Sequence, residues 1–94
     1  MTSKQRAFLR KQANTMEPIA QIGKNGIDDN QLDGINDALI ARELIKITVH
    51  ESFELTARQV SDILVRKLKA EPIQVIGRRI VIYKRNDKLR KYGV

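Results

Sequence analysis

Ninety-four residues, 41% hydrophobic and 31% charged, make one small globular domain rather than two, and exclude a disordered chain. The absence of cysteine excludes a disulfide scaffold, cysteine-ligated zinc and a thiol nucleophile, and no apolar run nears the roughly 18–20 residues of a membrane-spanning helix. Eighteen Lys and Arg against eleven Asp and Glu give a net charge of +7, which bears on partners rather than on fold and puts nucleic acid ahead of an anionic membrane.

The chain opens on Thr2-Ser3-Lys4-Gln5, the pattern of a capping box, and Leu9, Ala13 and Met16 then recur at helical spacing. Lys4, Arg6, Arg10 and Lys11 lie mostly off that stripe with no acid among them, so the segment reads as a basic first helix rather than a targeting peptide. Pro18 stops the helix, Ile19 to Ile22 form a short strand, and Gly23-Lys24-Asn25-Gly26 is a turn by composition. Asp28 and Asp29 suit the start of a second helix whose apolar stripe is Leu32, Ile35 and Leu39, with Gly34 weakening it by about 1 kcal/mol relative to alanine.

Leu44 to Val49 alternate as a strand, with Ile45, Ile47 and Val49 on one face and Lys46, Thr48 and His50 on the other. Thr56 to Gln59 is a second capping box, opening a third helix with Val60, Ile63, Leu64 and Leu68 inward, and Pro72 closes that region. Ile73 to Ile76 and Ile80 to Tyr83 are two strands around Gly77-Arg78-Arg79, with glycine placed for a type II′ turn. The expected fold is α/β, in the order α-β-α-β-α-β-β: a mixed four-stranded sheet with packed helices in one domain spanning residues 1–94. Residues 86–94 read as a loose basic tail in which Tyr92 alone invites docking.

Charge is uneven. The middle of the chain is acidic and both ends are basic, the C-terminal end through Arg78, Arg79, Lys84, Arg85, Lys88, Arg90 and Lys91 against Asp87 alone. Brought together, the two ends would make one strongly positive face.

Catalysis finds little support. His50 is the lone histidine, and general acid–base chemistry needs converging partners. Asp29-x-Gln31-x-Asp33-Gly34 resembles the start of a calcium loop, but Ile40 stands where the bidentate glutamate belongs. No catalytic residue, metal ligand, cofactor or small-molecule substrate is expected. Gly23-Lys24-Asn25-Gly26 has two readings: a plain strand-to-helix turn, or, with lysine at its tip, the G-x-x-G with which KH-type domains clamp a single strand. Of the four aromatics, Phe8 and Tyr83 read as core residues, so backbone clamping and charge are favoured over base stacking.

Three segments taken in order carry a family pattern: Ile22-Gly23-Lys24-Asn25-Gly26-Ile27, then Ala41-Arg42-Glu43-Leu44-Ile45-Lys46-Ile47, then Gln74 through Lys84. They resemble the IGKxG loop, the ELIKV helix-to-strand segment and the closing QxxGxxxxxYR hairpin of the YhbY-like CRM (chloroplast RNA splicing and ribosome maturation) domain. The resemblance covers nearly the whole chain and is to the bacterial stand-alone members. Lys84 stands where arginine is frequent in the family, and Asp28-Asp29 add negative charge beside the loop. The resemblance implies a fold similar to the C-terminal domain of translation initiation factor 3, and RNA binding without catalysis. It also implies association with precursors of the large ribosomal subunit.

The residues assigned to RNA are Gly23, Lys24, Asn25 and Gly26 in the loop, Lys4, Arg6, Arg10 and Lys11 on the first helix, and Arg78, Arg79 and Lys84 on the closing hairpin. The expected partner is ribosomal RNA, in the cytoplasm, with no membrane role and a monomeric protein. The alternative is a protein-interaction module whose basic face meets an acidic partner.

Overall fold

A computed structural model describes residues 1–23 and 26–94, leaving Lys24 and Asn25 outside the described residues. The elements follow in the expected order: α1 (Ser3–Ala13), β1 (Ala20–Ile22), α2 (Asp29–Arg42), β2 (Leu44–Val49), α3 (Ala57–Leu68), β3 (Glu71–Ile76) and β4 (Arg79–Tyr83). Both capping boxes form: the Gln5 amide donates to Thr2 Oγ1 (3.1 Å), the Gln59 amide to Thr56 Oγ1 (3.2 Å), and each glutamine side chain accepts from its cap amide at 2.9 Å. Asp28 caps α2 by accepting from the Gln31 amide at 2.7 Å.

The strands form one mixed sheet in the order β1-β2-β4-β3. β1 runs parallel to β2, which requires a crossover, and α2 supplies it. Strand alternation then sorts the side chains into two cores. On one face Ile45, Ile47, Ile80 and Ile82 pack against Ile35 and Leu39 of α2 and Val60 and Leu64 of α3. On the other, Leu44, Ile73, Val81 and Tyr83 pack against Leu9 and Ala13 of α1. The sheet is the middle layer of three. No helix among the described residues is long and apolar enough to cross a membrane.

Three expectations need correcting. Phe8 is not core: it is 41% exposed. It lies one residue from Leu9, about 100° around the helix from the stripe that meets the sheet. Pro72 does not close the third helix. That helix ends at Leu68, with Lys69 in the left-handed region (φ +55°) and the Ala70 amide returning to the Val65 carbonyl. Pro72 lies instead in β3, an edge strand, where a register shift between Pro72 and Gln74 accommodates a residue without an amide hydrogen.

Residues 86–94 carry no helix or strand, yet they are fastened, and the anchor is Glu43. Its side chain is fully buried between α2 and β2. One carboxylate oxygen accepts from the Asn86 amide at 2.9 Å and the other from the Lys91 amide. The Asn86 side chain donates to the Ile40 carbonyl at 2.8 Å, satisfying a helix-end acceptor of α2. Tyr92 meets Tyr83 edge to face, centroids 6.5 Å apart, and the Tyr83 hydroxyl lies within reach of both Glu43 Oε2 (3.5 Å) and the Val94 carbonyl (3.4 Å).

This arrangement sets an alkaline limit. Burial first, and then the Glu43 charge, push the Tyr83 and Tyr92 phenols above the ordinary value of 10.0. With the folded value raised, their contribution to stability is complete below the unfolded tyrosine pKa and is lost as pH rises through the folded one. The urea midpoint should therefore fall above about pH 10, and Tyr83→Phe should lessen the fall. Parallel pH profiles for the two proteins in urea titrations would show that Tyr83 is not responsible.

Candidate nucleic-acid interface

Three connections meet at one end of the sheet. β1 and β2 run side by side to Ile22 and Val49, and the hairpin between β3 and β4 turns beside them. The His50 amide donates to the Ile22 carbonyl and the Val49 amide to the Arg78 carbonyl, both at 2.7 Å. These bonds bring together the glycine loop after β1, the β2–α3 connection and the tip Gly77-Arg78. At that tip φ is positive at Gly77 (+56°) and not at Arg78, the pattern of a type II′ rather than a type I′ turn.

The two loop glycines have different reasons. The Gly26 amide donates to the Gly23 carbonyl at 2.9 Å. Gly26 has φ +72°, and a Cβ there would stand 2.9 Å from Cε1 of the Phe53 ring. Conformation and space both demand glycine. At Gly23 neither does so among the described residues: φ is not positive, and an added Cβ would find none of their atoms within 4 Å, chain neighbours aside. The missing side chain at Gly23 keeps backbone open toward the outside of the molecule.

The charged residues divide by position. Arg78 and Arg79 are exposed at the loop end, and no carboxylate among the described residues lies within the 4 Å of an ion pair. Lys4 and Lys11 are exposed on α1, and Arg10 is half-buried. Arg6 is engaged at the opposite end of the sheet, donating to the Pro72 carbonyl and standing 4.0 Å from Glu71. Lys84 also belongs to that end, its amide bonded to the Glu43 carbonyl at 2.9 Å. Five residue steps of extended chain separate it from Arg79, about 17 Å. The structure thus brings Gly23, Gly26, Arg78 and Arg79 together and keeps Arg6 and Lys84 apart from them. The assignments to Lys24 and Asn25 lie outside the described residues.

Phe53 and Lys46 beside this end, and Glu43 at the opposite one, escape sequence reading. Phe53 sits in a connection without periodicity. The other two had a visible signal, a charge set within the apolar run around β2, where a charged side chain has to be accommodated. His50 is occupied locally: its Nδ1 accepts from the Ser52 amide at 3.0 Å and lies 2.8 Å from Ser52 Oγ. No group of three or more His, Cys, Asp or Glu side chains suited to a metal ion occurs among the described residues.

Known proteins resemble this chain in sequence, and one in solved structure. A Bacillus subtilis protein named "Probable RNA-binding protein YqeI" is 42% identical over 88 residues, 94% of this chain and 92% of that protein. A Haemophilus influenzae protein named "RNA-binding protein" is 31% identical over 90 residues, 96% of this chain and 91% of its own length. The solution structure of the hypothetical protein SAV1595 from Staphylococcus aureus superposes with a TM-score of 0.78 at 40% identity, covering 92% of this chain and 90% of that one. Residues 1–84 match the family model of the CRS1 / YhbY (CRM) domain, and the chain belongs to that family.

Proposed function

We propose that this protein binds single-stranded RNA, and that its target is ribosomal RNA within precursors of the large ribosomal subunit. The observation that carries the reading is Gly23, a glycine that neither its φ nor the described residues packed around it require. Beside it stand Arg78 and Arg79, exposed and free of acid partners among the described residues. A bare backbone flanked by cations suits close approach of a phosphodiester chain, with phosphate contacts setting affinity and register. Relatives named as RNA-binding proteins support the choice of polymer. The ribosomal target follows from what the family pattern implies. The role is binding, with no chemical step.

Fluorescence anisotropy with a labelled single strand tests the first part. If about 4–6 phosphates are neutralised, log K falls against log salt with a slope of roughly −3 to −4. Gly23→Ala should weaken binding while leaving the thermal midpoint unchanged or slightly higher, since alanine also restricts the unfolded chain. A flat salt dependence, or full affinity in Gly23→Ala, removes the loop mechanism. For the ribosomal part, a sucrose gradient of lysate should show salt-sensitive, RNase-sensitive migration with large-subunit precursors. Residence at the top of the gradient at low salt would refute it.

A further inference from the structure

The sheet face beneath α1 is only partly covered. α1 packs on β2 and β3 over Leu44, Ile73, Val81 and Tyr83, and the chain then rejoins the sheet halfway along β2, where the Ile19 amide donates to the Lys46 carbonyl at 2.9 Å. Beyond that point four residues on the α1 face stand in register across all four strands. Gln21 is opposite Thr48, Thr48 opposite Arg79, and Arg79 opposite Ile76. Their chain neighbours Ile22, Ile47, Val49, Val75 and Ile80 pack into the other core, which fixes the direction of the row. Gln21 and Arg79 are exposed, Thr48 is half-buried, and Ile76 is 61% exposed. The row spans about 14 Å and begins two residues before Gly23.

At its margin, on the same face and two residues before Thr48, is Lys46. It is only 8% exposed, and no carboxylate among the described residues lies within 4 Å of its ammonium. No buried side-chain nitrogen or oxygen among the described residues lacks a partner, and this ammonium bonds to none of them, so its tip reaches solvent. A lysine this buried is ordinarily paired. Here the counter-charge is left for something outside the domain.

We infer that the RNA strand continues from the glycine loop across this row. Lys46 takes a phosphate there, and Gln21 and Thr48 hydrogen-bond base edges. The inference rests on the RNA reading above and adds to it the surface that distinguishes bases. Hydrogen bonding replaces stacking because the row carries no aromatic side chain; Tyr83, the aromatic of β4, is buried under α1. The apolar end at Ile76 offers a surface for a ribose or a base face.

The test uses the whole chain and labelled ten-nucleotide strands of U, A and C. Lys46→Met keeps the buried stem and removes the charge. It should bind about fivefold more weakly, with a salt slope shallower by about 0.7, the loss of one phosphate from a single strand. The double variant Gln21→Ala/Thr48→Val, on the accessible row, should narrow the spread of Kd among the three strands. Lys46→Gln serves as a second charge variant should Lys46→Met fold poorly. Wild-type protein that binds none of the strands at low salt ends the RNA reading and this inference together. If Gly23→Ala weakens binding while the row variants keep wild-type Kd, slope and base preference, the RNA reading stands and the row is excluded. Equal wild-type affinity for all three strands removes the base contacts.

Discussion

Replacing Glu43 by alanine should cost about 3 kcal/mol of stability, lowering the thermal midpoint by well over 10 °C in a domain of this size. Glu43 is a fully buried carboxylate with no Lys or Arg partner within 4 Å among the described residues; two backbone amides and a phenol hold it. Bonds to a charged acceptor are each worth roughly 1.5–3 kcal/mol, and alanine removes them while leaving a cavity. The loss is limited because the Asn86 and Lys91 amides can turn to water once the tail lets go. That release is a second readout: the Lys84-to-Lys91 stretch should become a rapid trypsin site. The backbone supplies an internal control, because Glu43 has φ +66° and ψ −44°, a strained conformation for a residue with a Cβ. Glu43→Gly relieves that strain and should be less destabilised than Glu43→Ala by about 1 kcal/mol, although it loses the same carboxylate. Unfolding curves in which Glu43→Ala matches wild type, with the tail still protease-resistant, would show that the anchor is unimportant.

Glu43 also shows where sequence reading stops. Helices and strands follow local rules, and Thr2 with Gln5, Thr56 with Gln59 and the alternation through β2 state theirs plainly. Leu9 and Ala13 point inward as their spacing requires. The tail obeys no period: its order comes from one acid more than forty residues earlier, a contact that local spacing cannot express. Phe8 misleads for a related reason. Size and apolarity suggest burial, but its helix has only one face against the sheet, and Leu9 occupies it. For the candidate site, the sequence shows both glycines and both arginines but not their neighbours. Register across four strands, not proximity in sequence, sets Gln21 beside Thr48 and Thr48 beside Arg79. The same register separates Lys84 from Arg79, although one short strand joins them.

The domain is therefore divided along its strands. At one end Glu43, Tyr83 and the tail form a fastening; at the other, short turns expose backbone and cations. On the RNA reading proposed above, any ordering of Gly26 on binding would be subtracted from affinity. Phe53 backs Gly26 from the side of the core. It packs against the core below and presents its ring edge to Gly26 above.

Gly26→Ala should accordingly be the damaging change in the loop and Gly23→Ala the benign one, so far as folding is concerned. At φ +72° an L-residue costs about 1–2 kcal/mol, and the new methyl would lie 2.9 Å from Phe53 Cε1 and 3.2 Å from Cζ, so the ring must move as well. Together these should amount to about 2–3 kcal/mol, roughly 10–20 °C in thermal midpoint. Phe53→Leu separates the two parts. Alone it should destabilise by loss of packing; combined with Gly26→Ala it should cost less than the sum, with a coupling of about 1 kcal/mol, because the ring that blocks the methyl is gone. The backbone penalty remains in the double variant, so rescue should be partial. Strict additivity of the two changes would show that Phe53 does not press on the loop. Gly26→Ala melting like wild type would mean that the turn closes without its left-handed residue.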